Sequence, residues 1–315
     1  MRRNHGPGVN SVTPTSVIIF NPTARGDKAR QLIPLLEEFS REAGLYPTHG
    51  PGDARRLARE AVLKGAKTIV AAGGDGTVNE VINGLAEAEC GLERARLGVL
   101  PLGTVNVFAK EVGIPDDLRA AWEVIRQGSE WRIDLPQASF VHHGQPVLRS
   151  FVQLAGAGLD SRAIANVRWT EKKRLGQLAY ALAGIRALCE HLPRLRVTLP
   201  DGGEDSGELI LIGNGRFYGG HFPVFQKADM ADGLLDLVVV PKVNLFRVMR
   251  LALASKWDFF ANPGKVRHYQ VPQCQICSDR PCEFQLEGDN IGVTPLSLTI
   301  QHRALRIVVA SSQTR

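Results

Sequence analysis

The sequence predicts an α/β domain built on a parallel sheet, followed by a mainly antiparallel, sandwich-like β domain. Three observations carry that expectation. Short β-branched apolar runs alternate with helical periodicity up to about residue 130, the pattern of βαβ units. From about Trp131 the texture changes to alternating strands separated by Gly, Pro and Asp turns. The length, 315 residues, exceeds what one typical core organises, so two domains are expected. The predicted division is a disordered tail at 1–15, an α/β domain at 16–130 and a β-rich domain at 131–315 whose last strand packs back on the first domain.

In chain order, SVIIF at 16–20 is a strand that Asn21-Pro22 ends. The loop TARGDK (23–28) and a helix to about residue 43 follow, with Leu32, Leu35, Leu36 and Phe39 facing inward. A Pro/Gly-rich connection at 47–53 leads to a helix near 54–64 and then to a buried strand at 69–72. Gly73, Gly74 and Gly76 turn the chain tightly there. A helix begins next, with Thr77 as N-cap, Glu80 placed as in a capping box, and Val78, Val81, Ile82 and Leu85 on one face. Strand 97–100, the loop PLGTVN (101–106), a short helix and a helix near 118–126 complete the first domain. In the second, strands are expected at 149–153, 195–199, 208–213, 234–240, 283–287, 296–300 and 305–309. Helices near 172–191 and 245–260 interrupt them.

A strand, a glycine turn and a helix N-terminus present unpaired N–H groups and a positive dipole end, which suits phosphate. Asp75 stands inside that turn, where a carboxylate beside phosphate makes sense if Mg²⁺ bridges the two; the alternative is a purely structural turn. Ligands of open parallel sheets sit beyond the carboxyl ends of the strands, so Asn21, Asp75 and Thr104 are expected to converge on one crevice.

A net charge of +6 and a pI near 9.2 favour acidic partners: nucleotides, anionic lipid head groups or nucleic acid. Charge alone does not choose among them. No run approaches the roughly 18 to 20 apolar residues of a membrane span, and the first fifteen residues lack a signal-peptide core. Five cysteines, an odd number in a long chain, fit reduced thiols better than a disulfide framework, and a cytoplasmic protein is expected.

With GGDGTVNEVINGL (73–85) and PLGTVNVFAK (101–110), the chain resembles the lipid kinases that share the diacylglycerol-kinase catalytic domain, bacterial diacylglycerol-kinase-like proteins and sphingosine kinases among them. FNPTARGDKA (20–29), GNGRFYGG (213–220), KADMADGLLDLVVV (227–240) and FQLEGDNIG (284–292) stand in the family's order. The resemblance implies an ATP- and Mg²⁺-dependent kinase that phosphorylates a lipid hydroxyl at a membrane surface, diacylglycerol-like acceptors favoured, with no nucleic-acid partner. It also implies an ATP and Mg²⁺ site at Asn21, Thr48, Gly73, Gly74, Asp75, Gly76, Thr77, Gly103 and Thr104. Asp232 resembles the side-chain ligand of a second, structural Mg²⁺, with main-chain carbonyls near Asp229 and Leu234 beside it. Glu287-Gly288-Asp289 stands where relatives carry Asp-Gly-Glu, so Glu287 and Asp289 are both candidate bases. Val107 replaces an acidic residue, and Ala24-Arg25 replaces a Ser-Gly pair.

Other readings stand beside these. An NAD-kinase-like enzyme shares the glycine turn, and a non-catalytic nucleotide- or lipid-binding protein would fit Val107 and the altered triplet. Glu287-Gly288 and Asp232-Gly233 also read as plain turns. Cys274, Cys277 and Cys282, with His268, form a weak zinc pattern that buried strand cysteines explain more simply. The basic run Arg168, Lys172, Lys173 and Arg174 before an apolar helix suits an anionic membrane face or a solvated helix start.

Overall fold

The computed structural model describes residues 15–24, 31–159, 161, 192–220, 222–243 and 266–311. The expected tail, most of the TARGDK loop, the helices near 172–191 and 245–260 and the basic run from Arg168 to Arg174 lie outside the described residues.

The first domain follows the βαβ order: β1 (Ser16–Phe20), α1 (Ile33–Phe39), β2 (Gly44–Pro47), α2 (Asp53–Leu63), β3 (Thr68–Gly73), α3 (Asp75–Glu87), α4 (Gly91–Arg94), β4 (Arg96–Pro101), α5 (Val107–Glu111) and α6 (Leu118–Gln127). Its strands lie parallel in the order β2-β1-β3-β4. β1 and β3 are buried almost throughout, which is why they read as continuous apolar runs. Phe39 of α1 stacks on Trp122 of α6 at 4.8 Å, and Gly84 lets α3 approach Ala58 and the Arg55 carbonyl of α2. α1 is shorter than its periodicity suggests and buries only Leu36 and Phe39 fully; the chain turns into β2, a four-residue strand bounded by Gly and Pro and too short to stand out.

The second part runs β5 (Ser129–His142), β6 (Gln145–Ser150), β7 (Leu154–Gly158), β8 (Leu195–Thr198), β9 (Glu204–Gly207), β10 (Leu209–Gly213), β11 (Phe217–Tyr218), β12 (Phe222–Pro223), β13 (Leu235–Val240), β14 (Arg267–Val271), β15 (Gln273–Ser278), β16 (Glu283–Leu286), β17 (Asp289–Val293) and β18 (Leu296–Val309). β14-β13-β10-β7-β16-β17 make an antiparallel sheet. It faces β5, β18, β15 and β8 across a core that includes Phe140, Leu298 and Ile276 on one side and Ile212, Leu237 and Phe284 on the other, a β sandwich.

β5 and β18 do not respect a domain boundary. Their outer halves pair Ser129–Ile133 with Leu305–Val309, and Ile307 adds parallel to Leu97 of β4, so Leu305, Ile307 and Val309 join the first core. The inner halves pair Leu135–Phe140 with Leu296–Gln301 in the sandwich. The two strands expected at 296–300 and 305–309 are thus one strand, interrupted by a bulge. Asp134 stands opposite the bulge, fully buried. Its Oδ1 accepts from the Arg303 amide at 2.6 Å and hydrogen-bonds His302 Nδ1 at 2.9 Å, while Oδ2 accepts from the Gly233 amide at 2.6 Å. A buried carboxylate is tolerated because each lone-pair direction it uses meets a donor.

Asp134→Ala leaves those amides without an acceptor and is expected to cost about 2–4 kcal/mol in urea unfolding. A loss below about 0.5 kcal/mol would show that the bulge is held by its other contacts.

Candidate active site

The register of the parallel strands puts the candidate residues side by side. Phe20 lies opposite Pro47 and Ala72, and Gly73 opposite Pro101, so Asn21, Thr48, Gly73 and the loop from Leu102 leave four neighbouring strand ends at one edge. The Asn21 amide bonds to the Ala72 carbonyl, the Thr48 amide to Phe20, and the Leu102 amide to Gly73. Thr104 is exposed at the tip of its loop.

The glycines differ in what they do. A Cβ on Gly73 would run into the Thr77 side chain, and Gly74 and Gly103 press backbone on backbone, with Gly103 also against Asn106 Oδ1. A Cβ on Gly76 would meet nothing within 4 Å; it borders open space at the helix start.

α3 starts three residues before the expected position: Gly74 is the N-cap, without a side-chain cap, and Asp75 is the first helical residue. Thr77 lies in the first turn and receives Asn21 Nδ2 at 3.3 Å. Glu80 makes no capping box. Its carboxylate accepts from the Gly52 and Ala54 amides at 2.9 and 3.0 Å, capping α2 from outside because that helix begins at a left-handed glycine with no side chain of its own. Asp75 Oδ1 accepts from the Phe108 amide at 3.1 Å and so ties the glycine turn to the start of α5.

Glu287 and Gly288, at φ +54° and +89°, form the two-residue turn joining β16 to β17. The hairpin-turn reading is therefore correct as local structure. The Glu287 side chain does more: its Oε1 accepts from the Val152 and Gln153 amides at 2.6 and 2.7 Å. Burial pushes its carboxyl up to about 7; the two amides pull the other way, and the Asp75 carboxylate adds to the rise. Asp75 and Glu287, from different domains, are thus electrostatic neighbours. Asp289 lines a cleft of about 230 Å³ to which Gly52, Arg55, Glu80, Asn83 and Arg149 also contribute. Asn83 exchanges hydrogen bonds with the Ser150 backbone at 2.9 and 3.0 Å, docking α3 beside that cleft.

Several residues that hold this arrangement were not singled out in the sequence: Asn83, Glu111, Asp134, Gln153 and Asn214. Asn214, inside GNGRFYGG, is buried and donates to the Val152 carbonyl at 2.9 Å; the motif was its signal. Asn83 likewise stood inside GGDGTVNEVINGL, and nothing local marks Glu111, Asp134 or Gln153. Val107 is buried in the first turn of α5.

At the second candidate metal site, Asp229 Oδ1 accepts from Ala231 and Asp232 Oδ1 from Leu234, closing two short turns. Burial raises the Asp232 carboxyl; the Leu234 amide opposes that, and Asp229 and Asp134 add to it. Asp236 next along is driven up to about 7 by burial and by Asp232, and its Oδ2 is buried without a partner. Oxygen donors are the type that a hard cation takes. Among the described residues no three His, Cys, Asp or Glu side chains come together to hold a metal, and this covers the cysteine pattern. Cys274 and Cys282 are buried in the sandwich, Cys277 is exposed, and burial raises the Cys274 thiol to about 12.

The fold puts the chain in the class of two-domain proteins in which an α/β domain, with a glycine turn at its strand ends, is joined to a β-sandwich domain. The diacylglycerol kinase catalytic domain matches residues 15–138, and the YegS C-terminal NAD kinase beta sandwich-like domain matches 153–309. The diacylglycerol kinase of Bacillus subtilis (strain 168) is 32% identical over 303 residues, covering 93% of this chain and 95% of its own; that of Staphylococcus aureus (strain MRSA252) is 31% identical, covering 88% and 87%. A structure from Bacillus anthracis described as a diacylglycerol kinase superposes with a TM-score of 0.70 at 22% identity, over 95% of this chain and 98% of that one. The chain belongs to the diacylglycerol kinase family and is a lipid kinase. Among the described residues no helix is long and apolar enough to cross a membrane.

Gly103→Ala should cost about 1–3 kcal/mol in thermal or chemical unfolding, because backbone must move to admit the methyl group. Gly76→Ala, with open space around it, should stay within about 0.5 kcal/mol of wild type or slightly above it. Equal effects would contradict the division of roles between the two glycines.

Proposed function

We propose that the enzyme transfers the γ-phosphate of ATP to the hydroxyl of a diacylglycerol-like lipid, in the crevice between the glycine loops and the β16–β17 hairpin. The observation that carries this is the Glu287 carboxylate, held by the Val152 and Gln153 amides and lifted in part by the charge of Asp75, the first residue of α3 in the other domain. The names of the relatives and the basic pI support the lipid acceptor and the anionic donor. An acceptor presented by a membrane implies peripheral association with its surface.

Asn21, Thr48, Gly73, Gly74, Gly76, Thr77, Gly103 and Thr104 would line the phosphate site, with Gly76 leaving room for close backbone approach. Mg²⁺ held by Asp75 would neutralise charge on the transferring phosphoryl group. Glu287 serves as base. Its Oε1 is committed to two amides, which orient the carboxylate and leave Oε2 to take the acceptor proton as the lipid oxygen bonds to phosphorus and the bond to ADP breaks. Asp289 lines a cleft that Glu287 does not, and is the weaker candidate. Asp232, with carbonyls near Asp229 and Leu234, would hold a structural cation.

With mixed lipid micelles and labelled ATP, Asp75→Asn should abolish turnover with the fold intact, and Glu287→Gln should lower kcat by about 10²- to 10⁴-fold, Asp289→Asn less. The reverse order would transfer the role of base to Asp289. Because the Glu287 carboxyl sits up near about 7, it is protonated and idle below that pH, so kcat/KM should climb as pH rises through about 7 and then level. The same shift makes folding less favourable as pH rises through that window, since the native state holds this proton more tightly than the unfolded chain. A rate profile flat across the window would remove Glu287 as the base. For the second site, Mg²⁺ should raise the Tm of wild type and not of Asp232→Ala; no such difference would leave Asp232 as a turn residue alone.

A further inference from the structure

α5 has only five residues, yet it joins the two carboxylates of the crevice. At its start, the Phe108 amide donates to Asp75 Oδ1. At its end, Glu111 reaches into the other domain. Its Oε1 receives Arg216 Nε at 2.9 Å, and its Oε2 receives the Phe217 amide at 3.0 Å and Gln153 Nε2 at 3.1 Å. The Glu111 side chain is 4% exposed, whereas that of Arg216 is 50% exposed. Three donors converge on a carboxylate that water scarcely reaches, so the contact resists loosening. Gln153 is itself buried, and Nε2 also donates to the Phe217 carbonyl at 3.0 Å. The backbone N–H of that same Gln153 holds Glu287.

The path Asp75, Phe108, Glu111, Gln153, Glu287 therefore runs from one carboxylate to the other through one short helix and one buried amide side chain. We infer that Glu111 is a positioning residue for phosphoryl transfer: it touches no reacting atom but fixes how the Gln153 segment, and with it Glu287, stands relative to Asp75. This rests on the kinase reading above. Phosphoryl transfer depends on placement more than on covalent chemistry, and a misplacement of about 1 Å can cost on the order of 10²-fold in rate. A residue that only glued the domains together would lower thermal stability and disturb substrate binding and turnover together. A positioning residue lowers turnover selectively.

The test uses the full chain with Glu111→Gln, Glu111→Ala, Gln153→Ala and the Glu111→Ala/Gln153→Ala double variant, assayed with ATP, Mg²⁺ and diacylglycerol micelles. Expected for Glu111→Ala is a kcat lower by on the order of 10²-fold with KM for ATP within about twofold, and a double variant no slower than Glu111→Ala, because the two residues act as one unit. Amide exchange at Val152 and Gln153 should quicken by on the order of tenfold in the same variant, with the β1 and β3 amides unchanged. If Glu111→Ala does not fold, Glu111→Gln, of nearly the same volume, and Gln153→Ala, which keeps the backbone donor to Glu287, carry the measurement. A kcat within about threefold of wild type, multiplicative losses in the double variant, or unchanged exchange at Val152 and Gln153 would overturn the inference. Exchange is read without turnover: a wild type inactive on every lipid tested would overturn the kinase reading, and the exchange result would still decide the role of Glu111.

Discussion

The ladder between β5 and β18 is the constraint on which the rest of the molecule depends. Each strand runs fourteen residues, long enough to complete the parallel sheet at one end and one face of the sandwich at the other. Backbone hydrogen bonds therefore cross the domain junction, and the two cores cannot hinge freely about a single linker. Where both strands change from one core to the other, the ladder needs a bulge to reset its twist. The bulge frees the Arg303 amide, and Asp134 accepts it together with the Gly233 amide from the loop that holds Asp229 and Asp232.

That rigidity gives the crevice its electrostatics. Glu287 sits at a hairpin turn in a conformation non-glycine residues seldom adopt, a form of local strain that a surrounding structure must maintain. Here the maintenance comes from the Val152 and Gln153 amides, in the link between β6 and β7. Burial disfavours the charged form of the carboxyl and the amides favour it; burial prevails, and the neighbouring Asp75 pushes in the same direction. A carboxyl balanced near neutrality can take up and give back a proton under ordinary conditions, which a fully exposed glutamate cannot do efficiently.

Much of this was written in the chain itself. The run SVIIF, the glycine turn at 73–76 and the helical stripe Val78, Val81, Ile82 and Leu85 are local signals, since strand burial, tight turns and helix periodicity are set by residues next to each other. The parallel sheet followed from their order, and the family followed from motifs standing in sequence. Tertiary structure decided what depends on residues far apart. Glu80 was expected to cap its own helix and instead caps α2, because Gly52 offers no side chain and the two helices lie close. Two predicted strands merged into β18, since a bulge residue is defined only by the partner strand opposite it. That Glu287 takes the Val152 and Gln153 amides while Asp289 lines a separate cleft also could not be read from a triplet of neighbours, because their surroundings come from distant parts of the chain. The sequence alone determined the elements, their order and the chemistry available; only the packed structure decided which groups hold each carboxylate, since those ties are hydrogen bonds between residues as distant as 75 and 108, 111 and 153, and 153 and 287.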